Sequence, residues 1–307
     1  MPNKLHQFKN TINKKLVQSA FTVILFLKFR YLYANVDDFI KKLRRKKPTL
    51  YLLEYHITKH CNMNCKSCFH FSSLVKTVEY GDFNQYVRDL TRLTFLFSNI
   101  KNIHLMSGEP LLNPELPQFI HITRKILPNA KIHILTNGMQ LLKMDGTLLE
   151  AIKSCEVHVR LSTYEPMVKK RAEIANFLTK QQIKHWMSDP YLHFAKYINP
   201  RGDSNPKKVV AQCPASRCTF LSNGKMTRCA LPFNIKYFNQ HFKTKIDMSN
   251  DQIDIHDEQL DGFKLKKRLL KPMAACCFCN KVEWIPWSQS KKRNRSDVTL
   301  NDFCSNT

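Results

Sequence analysis

The chain of 307 residues is long enough for one large catalytic domain with a smaller appended module, but too short for two unrelated large domains. Apolar residues make up 43% of the sequence, and the mean hydropathy of −0.38 argues against a polytopic membrane protein. Lys and Arg outnumber Asp and Glu by 49 to 24, so the formal charge of +25 should attract anions. A compositional drift of the source genome and an anionic partner explain this excess of basic residues equally well.

Residues 1–48 are predicted to form a basic N-terminal helical extension. Its apolar stretch, residues 16–27, is too short to span a bilayer. We expect either a helix packed on the catalytic domain or an amphipathic helix that makes peripheral membrane contact through residues 16–33. The stretch has no small-residue cleavage site, so we expect a cytoplasmic, reducing location with possible association to the membrane. In that compartment, clustered cysteines are typical of metal ligands or catalytic groups rather than disulfides.

From residue 49 onward, short β-like runs alternate with helical ones. This alternation is typical of an α/β fold built from βα units around a parallel sheet. Alternation fades after about residue 190, so we place a catalytic core at 49–200, a cysteine-rich module at 201–290 and a polar, loose tail at 291–307. The predicted strands are 51–57, 102–106, 131–135 and 156–162, and the predicted helices are 82–98, 115–126, 147–154 and 165–179.

The segment from His60 to His70 contains three cysteines, Cys61, Cys65 and Cys68. Thiolates spaced by three and then two residues can wrap one face of a [4Fe-4S] cluster and leave the fourth iron without a protein ligand. A structural zinc site would need a fourth ligand, which only His60 or His70 could supply nearby. The spacing therefore predicts an iron–sulfur cluster whose open iron is a reaction site.

This CxxxCxxC pattern, which follows the first predicted strand, resembles that of the radical SAM superfamily. The resemblance implies a partial (β/α)6 TIM-like barrel in which the open iron binds S-adenosylmethionine. One electron, from a flavodoxin- or ferredoxin-like donor, then cleaves the cofactor to a 5'-deoxyadenosyl radical that abstracts hydrogen from a substrate. Ser67 replaces the usual aromatic residue of the family before the third cysteine, and Phe69 is expected to contact the adenine instead.

Two later turns resemble cofactor-binding motifs of the same family. Residues 107–110, Ser-Gly-Glu-Pro, follow a strand-like run and resemble the GGEP motif with Ser in place of the first Gly; we name them the GEP turn. In relatives its backbone and carboxylate hold the methionine amino group, which is a charge-assisted contact. Residues 136–138, Thr-Asn-Gly, match the TNG turn, and Ser162 ends a predicted strand where relatives place a polar residue near the ribose or carboxylate. For both, an ordinary turn or cap is the alternative. The resemblance thus assigns cofactor contacts to Phe69, Ser107, Gly108, Glu109, Pro110, Asn137 and Ser162.

A second group of cysteines lies in the last third of the chain. The spacing of Cys213, Gly224 and Cys229 resembles the opening of the twitch and SPASM modules that hold an auxiliary iron–sulfur cluster in some radical SAM enzymes. Asn223-Gly224 is typical of a hairpin turn, and Cys276 and Cys279 complete four ligands. Because no cysteine lies between Cys279 and Cys304, the shorter twitch type matches better. Cys218 and Cys277 compete for ligand roles, and a four-thiolate zinc site remains an alternative.

The cysteines and tryptophans outside these sets are given packing roles. Cys155 is expected to be a core residue and Cys304 a tail residue. Trp284 and Trp287 follow Cys279 closely, and packing is the expected role for both.

The predicted function is that of a radical SAM enzyme whose reaction type, oxidoreductase, isomerase or lyase, stays open. The sequence is also similar to radical SAM proteins of bacterial surface-polysaccharide loci. The leading expected substrate is therefore a sugar linked to a nucleotide or a lipid. Such a small-molecule or glycan substrate could be anionic. One alternative is modification of a ribosomally made peptide, although 48 residues before the barrel are few for a leader-binding domain. The other is a non-catalytic metal-cluster protein that binds nucleic acid. It would not need the GEP turn, so no nucleic acid is expected as a partner.

Overall fold

The computed structural model describes residues 36–213, 215, 218–292 and 295–305. The chain divides into two compact units, Met1–Pro48 and Thr49–Thr307. The described part of the first unit holds a helix, α1 (36–43), in which Lys41 and Asp37 form an ion pair of 2.7 Å. Most of the predicted N-terminal extension lies outside the described residues, so membrane contact through residues 16–33 stays a prediction. In the described part of the chain, no helix has the length and apolar content needed to cross a bilayer.

The second unit contains the remaining elements. Its strands are β1 (Thr49–Leu50), β2 (Leu53–Thr58), β3 (Asn99–Ile100), β4 (Asn102–Ser107), β5 (Lys131–Thr136), β6 (His158–Leu161), β7 (His185–Met187), β8 (His193–Ile198), β9 (Phe220–Ser222), β10 (Lys225–Thr227), β11 (Ile253–Asp254) and β12 (Cys279–Pro286). Its α-helices are α2 (Phe83–Leu96), α3 (Leu116–Ile126), α4 (Gly146–Ser154), α5 (Glu165–Val168), α6 (Arg171–Lys180), α7 (Pro206–Gln212), α8 (Leu231–Phe242) and α9 (Gly262–Leu270).

The main sheet has eight strands in the order β11-β10-β9-β2-β4-β5-β6-β7. The six strands from β9 to β7 pair in parallel, and β10 and β11 add antiparallel partners at one edge. This arrangement confirms the predicted α/β fold with a parallel sheet. The next strand along the chain, β8, does not join this sheet but pairs antiparallel with β12.

The four predicted strands and the four predicted helices are present, with ends within two residues of the predicted ones. The single difference in kind is that the run predicted as one helix at 165–179 is divided into α5 and α6. The agreement follows from clear local signals. For example, Asp82 and Asp145 cap α2 and α4 by accepting a hydrogen bond from a backbone N–H of the first turn.

Alternation along β2 separates two faces of the sheet. Tyr55 points to the helical face, where its ring packs 4.3 Å from that of Tyr86 on α2. Glu54 points to the other face, where Nδ1 of His104 lies 3.1 Å from its carboxylate. His104 begins a row of histidine rings across β4, β5 and β6 that continues with His133 and His158, with centroids 5.2 and 5.1 Å apart. The face opposite the helices is therefore polar near the N-terminal ends of the strands.

The hairpin of β9 and β10 joins the C-terminal third of the chain to the main sheet. Asn223 and Gly224 have positive φ angles, 48° and 74°, as the predicted hairpin turn requires. The N–H of Gly224 donates to the buried carboxylate of Asp89 on α2 at 2.8 Å. Because β9 lies directly beside β2, residues after 201 extend the sheet, and the boundaries at 200 and 290 stay predictions.

The tail predicted to be loose is packed over residues 295–305. Phe303 is 3% exposed, and its carbonyl accepts hydrogen bonds of 3.0 Å from the N–H groups of Tyr197 and Ile198. Val298 is also buried. These two apolar side chains anchor a segment whose composition is otherwise polar, which explains the difference from the prediction.

Candidate active site around the cysteine loop

A cavity of about 330 Å³ lies where β2, β4, β5 and β6 end. Such loops at the C-terminal ends of parallel strands are the usual location of active sites in barrel-type folds. Two predicted cofactor residues, Glu109 and Pro110, are not part of its wall. Its wall includes Cys61, Cys65, Cys68, Phe69, Ser107, Gly108, Asn137 and Ser162.

The cysteine loop, residues 59–71, turns its three thiols toward this cavity. Burial raises the pKa of the Cys65 thiol to about 12 and also raises the pKa of Cys61 and Cys68. The sulfur of Cys61 accepts a hydrogen bond from the N–H of Met63 at 3.4 Å. The thiols are therefore protonated in the metal-free protein, and a metal group must displace those protons when it binds.

The donor set fits a cubane iron–sulfur cluster with one open iron, because three thiols share one cavity wall. Of the two histidines that could complete a zinc site, His60 has its Nδ1 engaged with the backbone of Glu79 at 3.2 Å. His70 lines the cavity, and burial lowers the pKa of its imidazole to about 4. Within the described ranges, no three His, Cys, Asp or Glu side chains are arranged to hold one metal ion.

The carboxylate of Glu109 lies behind the cavity wall and is fully buried. Its Oε1 accepts hydrogen bonds from the hydroxyl of Thr136 at 2.7 Å and from the N–H of Leu111 at 3.0 Å. Its Oε2 accepts from the N–H of Asn137 at 2.8 Å. Burial raises the pKa of Glu109 to about 7, and these three donors oppose that effect. The carboxylate therefore ties the GEP turn to the TNG turn, and its predicted contact with the methionine amino group stays a prediction.

Gly108 brings the GEP turn into backbone contact with the cysteine loop. Its N–H donates to the carbonyl of Thr58 at 3.0 Å, and the N–H of Glu109 donates to the carbonyl of His60 at 3.1 Å. A Cβ at position 108 would lie 1.9 Å from the carbonyl oxygen of His60. Only glycine allows this approach. Ser107, which replaces a glycine of the family motif, has a φ of 120°, a value that disfavours any side chain.

Asn137 and Ser162 reach the cavity from the two neighbouring strand ends. The side-chain amide of Asn137 donates to Oδ1 of Asn62 at 2.8 Å and to the sulfur of Cys61 at 3.5 Å. Asn137 is therefore a contact of the cysteine loop itself, which sequence reasoning did not anticipate. Ser162 lines the wall, and its N–H donates to the carbonyl of Thr136 at 2.9 Å.

Phe69 and Ser67 differ in their surroundings. Phe69 lines the cavity, with its ring centroid 5.3 Å from that of Tyr197. Its contact with the adenine stays a prediction. The Ser67 side chain is buried and donates a hydrogen bond to the carbonyl of Asp302. The residue at the family's aromatic position thus binds the C-terminal segment.

That C-terminal segment forms a clasp on the cysteine loop; we use this name for residues 287–290 and 295–305. The N–H of Lys66 donates to the carbonyl of Ser288 at 2.9 Å, and the N–H of Ser290 donates to the carbonyl of Asn64 at 2.8 Å. The ammonium of Lys66 also lies 3.5 Å from the carboxylate of Asp302. Sequence analysis missed the clasp, because backbone pairing between distant segments has no residue signature.

The second cysteine group gathers near the same region. Burial raises the pKa of Cys229 to about 12, and the neighbouring thiols of Cys213 and Cys276 raise it further. Burial also raises the pKa of Cys279, to which Cys229, Cys276 and Cys213 add. The charges of Cys213 and Cys276 thus act on both Cys229 and Cys279. For Cys218, burial and then the charge of Glu54 raise the pKa, and Cys229 and Cys213 raise it further, so its thiol lies near Glu54 as well as near the second cysteine group.

Tyr197 lies between the two groups of cysteines. Its hydroxyl donates to the carbonyl of Phe69 at 3.5 Å, and its ring lines the cavity. Burial raises its pKa, and the next largest causes are Cys229, Cys279 and Cys68. The cavity beside the cysteine loop thus borders the second cysteine group.

Residues 55–182 match the family model described as the Radical SAM superfamily. The matched range contains the cysteine loop, the GEP turn, the TNG turn and Ser162. This segment of the chain therefore resembles a radical SAM domain, and the chain is an enzyme. No match was found among curated proteins.

Three solved structures are similar to the chain. BtrN in complex with AdoMet and 2-DOIA is 18% identical with a TM-score of 0.49, over 77% of this chain and 94% of BtrN. His6-tagged anSMEcpe with bound AdoMet is 19% identical with a TM-score of 0.38, over 46% and 43% of the two chains. Streptococcus suis SuiB bound to S-adenosylmethionine is 11% identical with a TM-score of 0.39, over 53% and 37%. The chain thus spans nearly all of BtrN and less than half of the other two proteins.

The contact of Gly108 with His60 predicts the effect of a single methyl group. Gly108→Ala should lower the free energy of unfolding of the metal-free protein by about 1–3 kcal/mol, because the backbone of the cysteine loop must move. It should also lower the iron bound after anaerobic reconstitution. Gly146→Ala is the matched control, since its Cβ would meet nothing within 4 Å. Its stability should stay within about 1 kcal/mol of the wild type in urea denaturation. Equal stability and iron content for both variants would contradict the close approach.

Proposed function

We propose that this enzyme holds a [4Fe-4S] cluster on Cys61, Cys65 and Cys68 and uses it to cleave S-adenosylmethionine. The observation that carries the proposal is that these three thiols share one cavity with the GEP turn, the TNG turn and Ser162. Cys61, Cys65 and Cys68 would hold the cluster, which when bound would supply the one-electron reduction of the sulfonium that releases methionine and a 5'-deoxyadenosyl radical able to take a hydrogen atom from substrate. The electron comes from a flavodoxin- or ferredoxin-like donor.

The residues of the chain have separate tasks in this reaction. The three cysteines bind three irons and leave the fourth open for the cofactor. Ser107 and Gly108 place the GEP turn at the cavity wall, and Glu109 keeps that turn in register with Asn137. Phe69 and Tyr197 supply apolar surface that excludes water from the radical. Such exclusion prevents side reactions of a reactive intermediate.

We propose a sugar as the substrate, with any phosphate or lipid attached to it kept outside the cavity. The support is the chemistry of the wall, whose lining includes four aromatic side chains, Tyr164, Tyr191, Phe194 and Trp284. Among the described residues of the wall, none is Lys, Arg, Asp or Glu. An uncharged ring with several hydroxyl groups suits aromatic surfaces that carry polar edges. A charged group would therefore meet no Lys, Arg, Asp or Glu partner on the described wall of this cavity.

The second cysteine group is proposed to hold an auxiliary iron–sulfur cluster of the twitch type. Its proposed ligands are Cys213, Cys229, Cys276 and Cys279, and the charges of Cys213 and Cys276 act on both Cys229 and Cys279. Cys229 and Cys213 also act on Cys218, but Glu54 is the larger electrostatic influence on its thiol, so Cys218 is left out of the proposed set. Tyr197 borders both groups, so a substrate radical in the cavity would lie near this second centre.

Cofactor cleavage tests the main proposal. Anaerobically reconstituted protein reduced with dithionite should release 5'-deoxyadenosine from S-adenosylmethionine, measured by chromatography and mass spectrometry. Cys65→Ala should lower the yield at least about 100-fold, because it removes one of three ligands to the cluster. Cys155→Ala is the control, since Cys155 is buried beside His121 and outside the cavity wall. Wild-type protein that contains zinc and no sulfide, and that forms no 5'-deoxyadenosine, contradicts the proposal.

The substrate class is tested in the same assay. Addition of a sugar substrate should increase the yield of 5'-deoxyadenosine. If a peptide increases the yield and no sugar does, the substrate is a peptide and the sugar proposal is wrong.

A matched pair of cysteine variants tests the auxiliary cluster. Cys229→Ala should reduce bound iron from roughly eight to roughly four atoms per chain, because one of four ligands is lost. Cys218→Ala should retain the wild-type iron content, since its thiol lies near Glu54 and is left out of the proposed ligand set. Iron and acid-labile sulfide are counted after anaerobic reconstitution. Wild-type protein with four irons, or equal losses in the two variants, would show that the assignment is wrong.

A further inference from the structure

Trp287 lies at the start of the clasp, next to the residues that pair with the cysteine loop. Cys65 and Gln289 form an antiparallel bridge, and the N–H of Lys66 donates to the carbonyl of Ser288 at 2.9 Å. On the other side, the N–H of Trp287 donates to the carbonyl of Leu192 at 2.9 Å. The backbone of Trp287 is therefore fixed between β8 and the cysteine loop.

The ring of Trp287 is fixed as well. It stacks on the ring of Tyr164, with centroids 6.0 Å apart and planes inclined by 16°. Tyr164 lines the same cavity as Cys65. The indole therefore stacks on one side of the cavity wall in a defined orientation.

The indole N–H of Trp287 is buried, yet it has no acceptor in hydrogen-bonding geometry among the described residues. A buried hydrogen-bond donor without an acceptor lowers the stability of a folded protein by about 1–3 kcal/mol, so such donors are rare and need a structural explanation. One explanation is a group that is present only in the loaded protein.

The thiol of Cys65, which is 7% exposed, is the metal-ligand candidate beside this indole: the backbone of Cys65 bridges to Gln289, two residues after Trp287, and its thiol lines the same cavity as Tyr164, on which the indole stacks. Burial raises the pKa of Cys65 to about 12, the charge of Cys68 raises it further, and the N–H of Trp287 acts in the opposite direction. A donor lowers the pKa of a thiol because it stabilises the thiolate. A metal-bound sulfur is such a thiolate and is a stronger acceptor than a neutral thiol.

We propose that Trp287 is a positioning residue whose indole N–H donates to the sulfur of Cys65 when that sulfur binds the cluster, which raises the reduction potential of the cluster. This inference rests on the proposed function, since it requires a cluster at Cys65. Hydrogen bonds to cluster sulfurs favour the reduced form, because that form carries one more negative charge. The electron that cleaves the cofactor would then be easier to load onto this cluster.

Isotope labelling tests the hydrogen bond without any substitution. Protein with nitrogen-15 in its indoles is reconstituted, reduced, and studied by pulsed EPR on the signal that changes when S-adenosylmethionine is added. The wild type should show one nitrogen-15 coupling from an indole at this signal. Trp186→Phe, the matched control, should keep the coupling, because Trp186 is 53% exposed and its ring faces Arg160. Trp287→Phe should lose the coupling while its ring still stacks on Tyr164.

A redox titration supplies the second readout. The midpoint potential of the same signal should shift to more negative values in Trp287→Phe and stay unchanged in Trp186→Phe. A wild type with no indole coupling, or equal potentials for the two variants, overturns the role of Trp287 while cofactor cleavage remains intact. A wild type with no signal that responds to S-adenosylmethionine overturns the proposed function and, with it, this inference.

Discussion

The buried carboxylate of Glu109 is the interaction on which the geometry of the site depends. Its two oxygens accept hydrogen bonds from Thr136, Asn137 and Leu111, and its backbone N–H reaches the carbonyl of His60. One residue thus joins the GEP turn, the TNG turn and the cysteine loop. Asn137 then returns to the cysteine loop through its contact with Cys61. A carboxylate buried with fewer donors would be strongly destabilising, so these loops can hold their register only together.

Local sequence patterns were sufficient to predict the strands and helices of the core and the GEP and TNG turns. Strand alternation, the capping residues Asp82 and Asp145 and the spacing of Cys61, Cys65 and Cys68 are all readable over a few residues. The clasp was not predictable, because its hydrogen bonds join backbone groups of Asn64 and Lys66 to residues more than 200 positions away. Backbone groups are the same in every residue, so such pairing leaves no trace in composition.

The choice between competing cysteine ligands could not be made from the sequence and required the arrangement of the strands. The spacing to Gly224 and Cys229 favours Cys213, with Cys218 as its competitor, and the placement of β9 beside β2 brings Cys218 close to Glu54. The aromatic wall of the cavity has the same origin. Phe194 and Trp284 lie on β8 and β12, beyond residue 182, where the family match ends. The proposed radical chemistry therefore rests on the matched residues, whereas the proposed substrate rests on a part of the chain that this match does not cover.

A cysteine loop with three thiols would leave one iron of a [4Fe-4S] cluster open for the cofactor. Mössbauer spectra of protein reconstituted with iron-57, recorded with and without S-adenosylmethionine, observe that iron itself. We expect one iron of the cluster on Cys61, Cys65 and Cys68 to change its isomer shift when the cofactor is added, while the other three keep theirs. Spectra in which no single iron responds, or a loop that binds one zinc ion and no sulfide, would rule out an open iron at this site.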